Sequence, residues 1–355
     1  MTSSTRLLLP TALLLAAALT GCGTSAPATE AGGPAFDSVG TLGLPAAEQV
    51  YELDLRQTPL TSLSDGERAR LGTEPQVRVT LSDGSTLSYR NAEGVMLFEG
   101  DIALNRSEKA YQHLVALTDG QLGEQGLSRF APKGANWAGN VIPYYWKSGT
   151  YSADQERVMK NSIARWNEQA GNAVKWVWDS TPRNAVQFIK GGSGSCGWSY
   201  VGSIGGHQQL AISCFSTHTV IHEMGHAAGL WHEHQRCDRD QYVSIPSSYL
   251  NDSVNFGKNC NIYSYGPYDY DSIMNYGNPF VYALSNPGNN YVGKASNLGK
   301  LPDLSAGDIS ALNMTYLGQS GGTTPLHPRL RRPRPTPAPS ALGRLLSFRL
   351  AATFP

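Results

Sequence analysis

The feature of this 355-residue chain that most restricts its fold is a group of histidines at helical spacing. Six of the eight histidines lie between positions 207 and 234, and the chain reads His-Glu-x-x-His-x-x-Gly-x-x-His from His222 to His232. Residues four apart on a helix share one face, so His222 and His226 can present two imidazoles to one metal ion. Gly229 can end that helix in a left-handed conformation, which turns the chain and brings His232 to the same point. The pattern therefore predicts a helix, a sharp turn and a three-nitrogen metal site.

This set of ligands indicates a reaction class. Three neutral nitrogen ligands leave a zinc ion an open position for water, as catalytic zinc sites require, so one Zn²⁺ per chain is expected. Zinc lowers the pKa of that water toward ~7, and Glu223, next to the first ligand, can take its proton as the water attacks a carbonyl. The pattern predicts metal-assisted hydrolysis of an amide. The alternative, histidines satisfied in a core or solvated on a surface, does not require this spacing.

The formal net charge of zero combines unlike parts of the chain. Residues 23–133 carry 15 acidic and 9 basic side chains, residues 134–318 carry 13 and 12, and residues 319–355 carry six arginines and no acid. The Pro/Arg-rich composition predicts a disordered tail over 319–355. Nucleic-acid binding is not expected, because the only aromatic residues of the tail are Phe348 and Phe354 and no folded platform presents them.

The amino-terminal residues 1–21 have the pattern of an export signal. Arg6 precedes an apolar run that is too short to span a bilayer. The run ends Leu19-Thr20-Gly21-Cys22, which resembles the lipobox of bacterial lipoproteins. That resemblance implies a lipidated Cys22 and attachment to the cell envelope, whereas an ordinary signal cut among the alanines would give a secreted protein. A tether rich in Gly, Ala, Pro and Thr is expected over 22–43.

The remaining patterns mix strands and helices. Residues 76–81 and 86–89 alternate around an Asp83-Gly84 turn and predict a hairpin within 44–133. In 134–318, strands are expected at 141–146, 174–178, 185–189 and 207–213, the first at a sheet edge because of Pro143. A capping box at Ser152 to Gln155 starts a helix that runs to Ala170. The fold class predicted is α+β, with a sheet first and helices later.

A resemblance to a known family covers about residues 135–318. The zinc motif continues as Glu233-His234-Gln235-Arg236-Cys237-Asp238-Arg239-Asp240, and Ser272-Ile273-Met274-Asn275-Tyr276 follows about forty residues later. Together with Trp137-Ala138-Gly139-Asn140-Val141-Ile142-Pro143-Tyr144, these segments resemble the astacin family of metzincin zinc metallopeptidases. The resemblance implies a zincin-like domain with an N-terminal mixed sheet and edge strand, an active-site helix and a mostly irregular C-terminal subdomain. It also implies a zinc endopeptidase that acts on proteins or peptides.

The resemblance assigns further roles within the cleft. Met274 would form the apolar floor beneath the zinc, and Tyr276 would be a switching tyrosine that stabilises the transition-state oxyanion. The segment His207 to Ser213 would be the edge strand that binds substrate by strand addition. Glu233 would be the buried glutamate near the mature amino terminus. Asn275 stands where the family commonly has histidine, and little effect on zinc is expected from that departure.

The cysteines other than Cys22 are four, which permits three pairings, and no two are close enough for a Cys-x-x-Cys zinc knuckle. The family's disulfide-closed loop before the active-site helix implies Cys196–Cys214. That leaves Cys237–Cys260, an unusual pair for the family. The usual long-range disulfide is missing, since no cysteine lies between Gly171 and Val174.

The segment Phe98-Glu99-Gly100-Asp101 resembles the short patch of astacin propeptides. The resemblance implies that residues 44–133 form a propeptide, in which Asp101 ligates the zinc in place of water and keeps the precursor latent. Arg129 and Lys133 are both candidates for the cleavage point. The alternative function is a catalytically silent peptide- or envelope-binding lipoprotein that retains the fold.

Overall fold

The structure, a computed structural model, describes residues 50–82, 84, 86–118, 135–192, 195–250, 253–260 and 264–318. The expected signal over 1–21, Cys22, the tether over 22–43, Arg129, Lys133 and the tail over 319–355 lie outside the described residues. Among the helices of the described ranges, none is both long and apolar enough to cross a membrane.

Residues 50–118, called the N-terminal region below, contain five strands and two helices. They are β1 (Tyr51–Asp54), α1 (Asp65–Thr73), β2 (Gln76–Thr80), β3 (Thr86–Ala92), β4 (Val95–Phe98), β5 (Ile102–Arg106) and α2 (Ala110–Thr118). The predicted hairpin is present as β2 and β3, with Thr80 opposite Thr86. Alternating side chains of the hairpin pack against the helices around Leu71, Leu87 and Leu114, which gives this region its own core.

Residues 135–318, called the C-terminal region below, begin with sheet and end mostly irregular. The elements are β6 (Val141–Tyr145), α3 (Ala153–Ala170), β7 (Lys175–Trp178), β8 (Ala185–Lys190), β9 (Gly197–Ser199), β10 (His207–Ile212), α4 (Thr217–Ala227), β11 (Val243–Ser244), α5 (Ser247–Leu250), α6 (Ser253–Phe256), β12 (Tyr268–Asp269), β13 (Tyr282–Ala283), β14 (Tyr291–Val292) and α7 (Ala306–Leu317). The predicted class, α+β with a mixed sheet followed by helices and irregular chain, is confirmed.

Helices α3 and α4 of the C-terminal region pack against the sheet. Helix α3 starts at the predicted capping box, where the side chain of Ser152 accepts a hydrogen bond from the backbone N–H of Gln155 and the Gln155 side chain bonds back. Its residues Met159, Ile163 and Trp166 recur at helical spacing and are buried. They share one apolar core with Phe188 of the sheet and with helix α4, so α4 is held against a rigid layer.

One ten-stranded sheet joins the two regions, in the order β1-β2-β3-β4-β5-β9-β10-β8-β6-β7. Strand β5 of the N-terminal region pairs in parallel with β9, at Ile102 opposite Ser199. The backbone N–H of Ser199 donates to the carbonyl of Asp101 at 2.9 Å. A small apolar cluster formed by Leu97 and Trp198, among others, closes this junction.

Two expectations about sheet edges were wrong. The segment His207 to Ser213 is not an edge strand, because β10 pairs in parallel with β8 on one side and antiparallel with β9 on the other. Glycines 202, 205 and 206 have positive φ and turn the chain back after β9. Strand β9 therefore pairs with the side of β10 that faces away from β8. The strand that contains Pro143 is also interior, between β8 and β7. Its pairing with β8 begins at Tyr144, one residue past the proline, so that ladder does not need the missing N–H.

Candidate metal centre

Helix α4 presents the first two histidines of the zinc motif. The side chain of Ser216 caps the helix by accepting a hydrogen bond from Thr219 N–H at 3.1 Å. The rings of His222 and His226 lie 4.9 Å apart between centroids, as expected for residues one turn apart on the same face. Gly229 then adopts φ 104°, a left-handed conformation that ends the helix and turns the chain.

His232 follows this turn and completes the group. Its Nε2 lies 3.3 Å from Nε2 of His222, and its ring centroid lies 4.7 Å from that of His226. The carboxylate of Asp101 lies among the three rings, 3.1 Å from His232 Nε2 and 3.4 Å from Nε2 of each of the other two. One donor atom from each of the four buried residues lies within 4.8 Å of all the others.

The Nδ1 atoms face away from the centre of the group and are called the rear nitrogens below. Their hydrogen bonds leave the Nε2 atoms of His222 and His226 free to bind a metal. Nδ1 of His222 donates to the carbonyl of Ile273 at 2.9 Å, and Nδ1 of His226 donates to that of Leu230 at 2.9 Å. With the hydrogen on Nδ1, the lone pair of each ring is on Nε2 and points to the centre. His226 Nε2 has no hydrogen-bond partner although it is buried, and neither does Oδ1 of Asp101. Three neutral imidazoles and a carboxylate oxygen fit a zinc ion.

The electrostatics of the group also favour a cation. Burial lowers the pKa of His226 to about 4, which keeps that ring neutral and available as a ligand. Burial also acts to lower the pKa of His232, but the carboxylates of Asp101 and Glu99 outweigh it and raise that pKa to about 10. Burial opposes the ionisation of Asp101, but the histidines hold its pKa well below the usual value. The buried carboxylate therefore requires positive charge beside it, as a proton or as a metal ion.

Glu223 lies beside the metal group and forms no ion pair with any residue that the structure describes. Its side chain is 2% exposed, and its Oε2 has no hydrogen-bond partner. Burial, and secondarily the charge of Asp101, raise the pKa of Glu223 well above the usual value. The carboxylate approaches β9 so closely that a Cβ on Gly197 would lie 2.6 Å from its Oε1. Only glycine leaves room at this point for Glu223 next to the sheet.

The segment around Met274 packs under α4, and its expected role as the floor beneath a zinc ion stays a prediction. Met274 Sδ would lie 2.7 Å from a Cβ on Gly225, so the glycine allows the methionine to approach the underside of α4. Asp308 of α7 holds this segment, accepting from Ser272 Oγ at 2.7 Å and from the backbone N–H of Ile273 at 3.0 Å. The sequence analysis missed Asp308, because nothing local connects it to a segment about thirty-five residues earlier.

The side chains of Tyr276 and Asn275, which follow Met274, point in opposite directions. The hydroxyl of Tyr276 donates to Asp101 Oδ2 at 3.0 Å, and its ring stacks on His234 at 4.2 Å. Asn275 points away from the histidines: its Nδ2 donates to the carbonyl of Asp269 at 2.7 Å, and its Oδ1 accepts from the hydroxyl of Tyr268. An asparagine is therefore accommodated there without touching the metal group.

The loop that carries Asp101 has a restricted backbone. Glu99 has φ 53° and Gly100 has φ 88°, so two successive residues are left-handed. A Cβ on Gly100 would collide with the side chain of Asn255 and lie 3.1 Å from the hydroxyl of Tyr276, so together with its positive φ the position favours glycine. The carboxylate of Glu99 is 1% exposed and accepts a hydrogen bond from Nδ2 of Asn259 at 2.9 Å. Sequence reasoning gave no role to Glu99, although it lies inside the Phe98 to Asp101 segment.

The structure contains two disulfides, and both are pairs expected from the sequence. Cys196–Cys214 joins the start of β9 to the loop before α4. Cys237–Cys260 joins the chain after His232 to the segment that carries Asn259.

Glu233 is held inside the C-terminal region. Its Oε1 accepts from Arg236 Nη1 at 3.0 Å and from the backbone N–H of Asp269 at 2.9 Å. Burial raises the pKa of Glu233 to about 7, although the nearby Arg236 charge lowers it. Its expected place near a mature amino terminus stays a prediction.

A mixed α+β fold whose central helix supplies a His-Glu-x-x-His metal group defines the class of zinc metallopeptidases. The family model of Astacin, a peptidase family, matches residues 130–317. The chain belongs to the astacin family.

Individual relatives agree with this family. The chain is 32% identical over 224 residues to zinc metalloproteinase nas-31 of Caenorhabditis elegans, which covers 58% of this chain and 35% of that protein. It is 30% identical over 205 residues to bone morphogenetic protein 1 of Xenopus laevis, which covers 53% of this chain and 28% of that protein. The chain thus spans about a third or less of these two relatives. A solved structure, high choriolytic enzyme 1, a hatching enzyme zinc-protease from the medaka fish Oryzias latipes, is 26% identical with a TM-score of 0.43, covering 52% of this chain and 94% of that one.

Proposed function

We propose that the chain is a zinc-dependent endopeptidase of protein substrates, made as a latent precursor. The observation that carries this proposal is the position of Asp101. Its carboxylate lies within 3.4 Å of Nε2 of all three histidines and accepts a hydrogen bond from Tyr276. A carboxylate at that point fills the position that a substrate carbonyl and a water would need.

His222, His226 and His232 would hold one zinc ion, with Asp101 as the fourth ligand of the precursor. Zinc, when bound, supplies the Lewis acidity that acidifies a water molecule and polarises a carbonyl. The backbone acceptors at Ile273 and Leu230 hold the first two rings with Nε2 facing inward. Because these acceptors are main-chain atoms, the orientation of both rings survives side-chain changes around them.

Glu223 is the proposed general base. Its unpartnered Oε2 is buried next to the metal group, and burial raises its pKa, which makes it a stronger base than an exposed carboxylate. Tyr276 is the proposed donor to the oxygen of the carbonyl under attack. Its hydroxyl now donates to Asp101, so departure of Asp101 frees the same hydrogen bond for the transition state.

The proposed inhibitory segment runs from Phe98 to β5. The positive φ of Gly100 and its close approach to Asn255 favour glycine there, and the strand that follows pairs with β9. A substrate would take the place of β5, because β9 is the strand whose outer side receives an added strand. This assigns the substrate-binding role to β9 in place of His207 to Ser213.

The remaining boundaries are proposed on sequence grounds. Residues 44–133 would be the propeptide, with processing near Arg129 or Lys133, and 134–318 the peptidase domain. Residues 1–21 would direct export. Cys22 would carry the lipid that anchors the protein to the bacterial envelope, or the protein would be secreted.

The test uses the full chain before and after limited trypsin digestion that releases the N-terminal region. We expect about one zinc per chain by elemental analysis, and digestion of a peptide library that appears only after release. A chelator should abolish the hydrolysis and added zinc should restore it. A processed, zinc-loaded protein that cleaves nothing in the library would favour the silent binding protein, and a chain without zinc would remove the metal assignment. Mass spectrometry of the amino terminus would show whether Cys22 carries lipid.

A further inference from the structure

The three histidines differ in how their rear nitrogens are held. Nδ1 of His222 and Nδ1 of His226 donate to backbone carbonyls, which no substitution removes. Nδ1 of His232 donates to a side chain, the amide oxygen of Gln235, at 2.7 Å. His232 is therefore the ligand whose orientation depends on another residue's identity.

Gln235 is itself held in place. Its side chain is 1% exposed, and its backbone carbonyl accepts a hydrogen bond from Asn259 N–H at 2.7 Å. Cys260, the next residue, is bound to Cys237, so the disulfide fixes this contact. An amide oxygen can only accept, which places the hydrogen of His232 on Nδ1 and leaves Nε2 for the metal.

A second acceptor approaches the same nitrogen from the N-terminal region. Oε2 of Glu99 lies 3.4 Å from His232 Nδ1, and this oxygen has no hydrogen-bond partner. The other oxygen of Glu99 is bound by Asn259, which also contacts Gln235. Glu99 and Gln235 thus lie beside the same nitrogen, Nδ1 of His232, and only Gln235 belongs to the C-terminal region.

We propose that Gln235 is the positioning residue of the third zinc ligand, and that Glu99 supports the same nitrogen only while the N-terminal region is docked. This rests on the proposed zinc function of the three histidines. The N-terminal region therefore contacts His232 at both ring nitrogens. Glu99 lies beside Nδ1, whereas Asp101 lies beside Nε2. Gln235 holds the ring alone once that region departs.

The test measures zinc dissociation constants of the full chain by competition with a chelator. Gln235→Leu removes the acceptor and should weaken zinc binding about 10-fold or more, in the range typical for partners of metal ligands. Gln235→Glu restores an acceptor and should bind zinc as tightly as the wild type. Gln208→Leu is the matched control: Gln208 is also buried, but its side chain bonds to the backbone of Gly202 and Ile204 in place of a ligand histidine ring. It should lower the unfolding temperature and leave zinc affinity unchanged.

The double variant Gln235→Leu with Glu99→Leu isolates the shared nitrogen. We expect its loss of affinity to exceed the combined single losses, because each residue supports His232 when the other is absent. If Gln235→Leu does not fold, Gln235→Asn keeps the amide on a side chain one carbon shorter and gives the same comparison.

A tautomer measurement separates positioning from packing. In ¹⁵N spectra of the zinc-loaded chain, the Nδ1–H signal of His232 should shift in Gln235→Leu and return in Gln235→Glu. Unchanged zinc affinity and an unchanged His232 signal in Gln235→Leu would overturn the inference while leaving the zinc site intact. A wild-type chain that binds no zinc would instead overturn the proposed function.

Discussion

The metal centre is formed from two sides, and the two sides are held by different kinds of contact. On the C-terminal side, the histidines lie on a buried helix and in the turn after it, and two of their rear nitrogens are bonded to backbone. On the N-terminal side, Asp101 sits at the end of a loop with two left-handed residues. That loop is held by Tyr276, by Asn259 and by one residue pair between β5 and β9.

Under the proposed latent function, this difference explains how Asp101 could leave while the histidine group stays intact. The core around α3 and α4 contains no residue of the N-terminal region. The core of the N-terminal region likewise contains no residue of the C-terminal one. The regions meet at the metal centre, in the apolar cluster beside β9, and through side-chain hydrogen bonds of Glu93 and Arg106. Changes on the C-terminal side should therefore affect chemistry, and changes on the N-terminal side should affect access to it.

The largest effect is expected from Glu223→Gln on the C-terminal side. Loss of a general base should lower the rate of peptide hydrolysis by the processed protein roughly 10²- to 10⁴-fold. The neutral amide has the same shape, so zinc content and melting temperature should stay as in the wild type. Rates should be measured with a fluorogenic peptide, and a variant with nearly full activity would show that Glu223 is not the base.

The next effect is expected from Asp101→Ala on the N-terminal side. Removal of a buried, hydrogen-bonded carboxylate costs about 3 kcal/mol or more, so the unprocessed chain should gain activity roughly 10²-fold. The exposed Asp65→Ala in the same region is the control and should leave the precursor silent. The measurement is hydrolysis by full-length protein that a gel shows to be uncut. Equal silence in both variants would end the proposal that Asp101 causes latency.

Tyr276 belongs to the C-terminal side and donates to Asp101 on the N-terminal side, so Tyr276→Phe should affect both. The processed protein should lose about 10²-fold in kcat, because one donor to the oxyanion is missing. In the full chain the same change removes the hydrogen bond to Asp101 and should weaken docking of the N-terminal region. The exposed Tyr282→Phe serves as the control. A changed KM with an unchanged kcat would assign Tyr276 to substrate binding alone.

The smallest effect is expected from Glu93→Asn, at a junction contact remote from the histidines. Oε2 of Glu93 accepts a hydrogen bond from Trp198 Nε1 at 3.0 Å. Asn tolerates the positive φ of this position but is too short to reach, so about 1 kcal/mol is lost, or roughly 5-fold faster release. Release can be followed by trypsin susceptibility, with the exposed Glu52→Asn for comparison. An effect as large as that of Asp101→Ala would contradict the view that the metal centre dominates docking.

Local patterns of the sequence predicted local structure well. The β2–β3 hairpin, the capped helix α3 and the turn at Gly229 all follow from residues within a few positions of one another. The histidine spacing likewise predicted that His222, His226 and His232 come together in one group. Each of these depends on backbone preferences and helical geometry that a short segment contains in full.

Long-range pairings could not be read in this way. Strand β9 pairs with the side of β10 that faces away from β8, and this depends on a long turn with several glycines at positive φ. The pairing of β5 with β9 joins segments far apart in the sequence. The hydrogen bond from Asn259 to Glu99 joins residues 160 positions apart, and no local pattern links them. Asp308 and Gln235 support the site through side-chain contacts that a motif does not contain.

The ten-stranded sheet has a consequence for the behaviour of the protein in solution. If the N-terminal region is released, the sheet divides between β5 and β9, and the backbone groups on the outer side of β9 lose their partner. Unpaired strand edges promote self-association, and short strands reduce that risk. Strand β9 has three residues, from Gly197 to Ser199, so the edge exposed by release is short. The N-terminal region would thus also cover the outer edge of β9 until processing releases it.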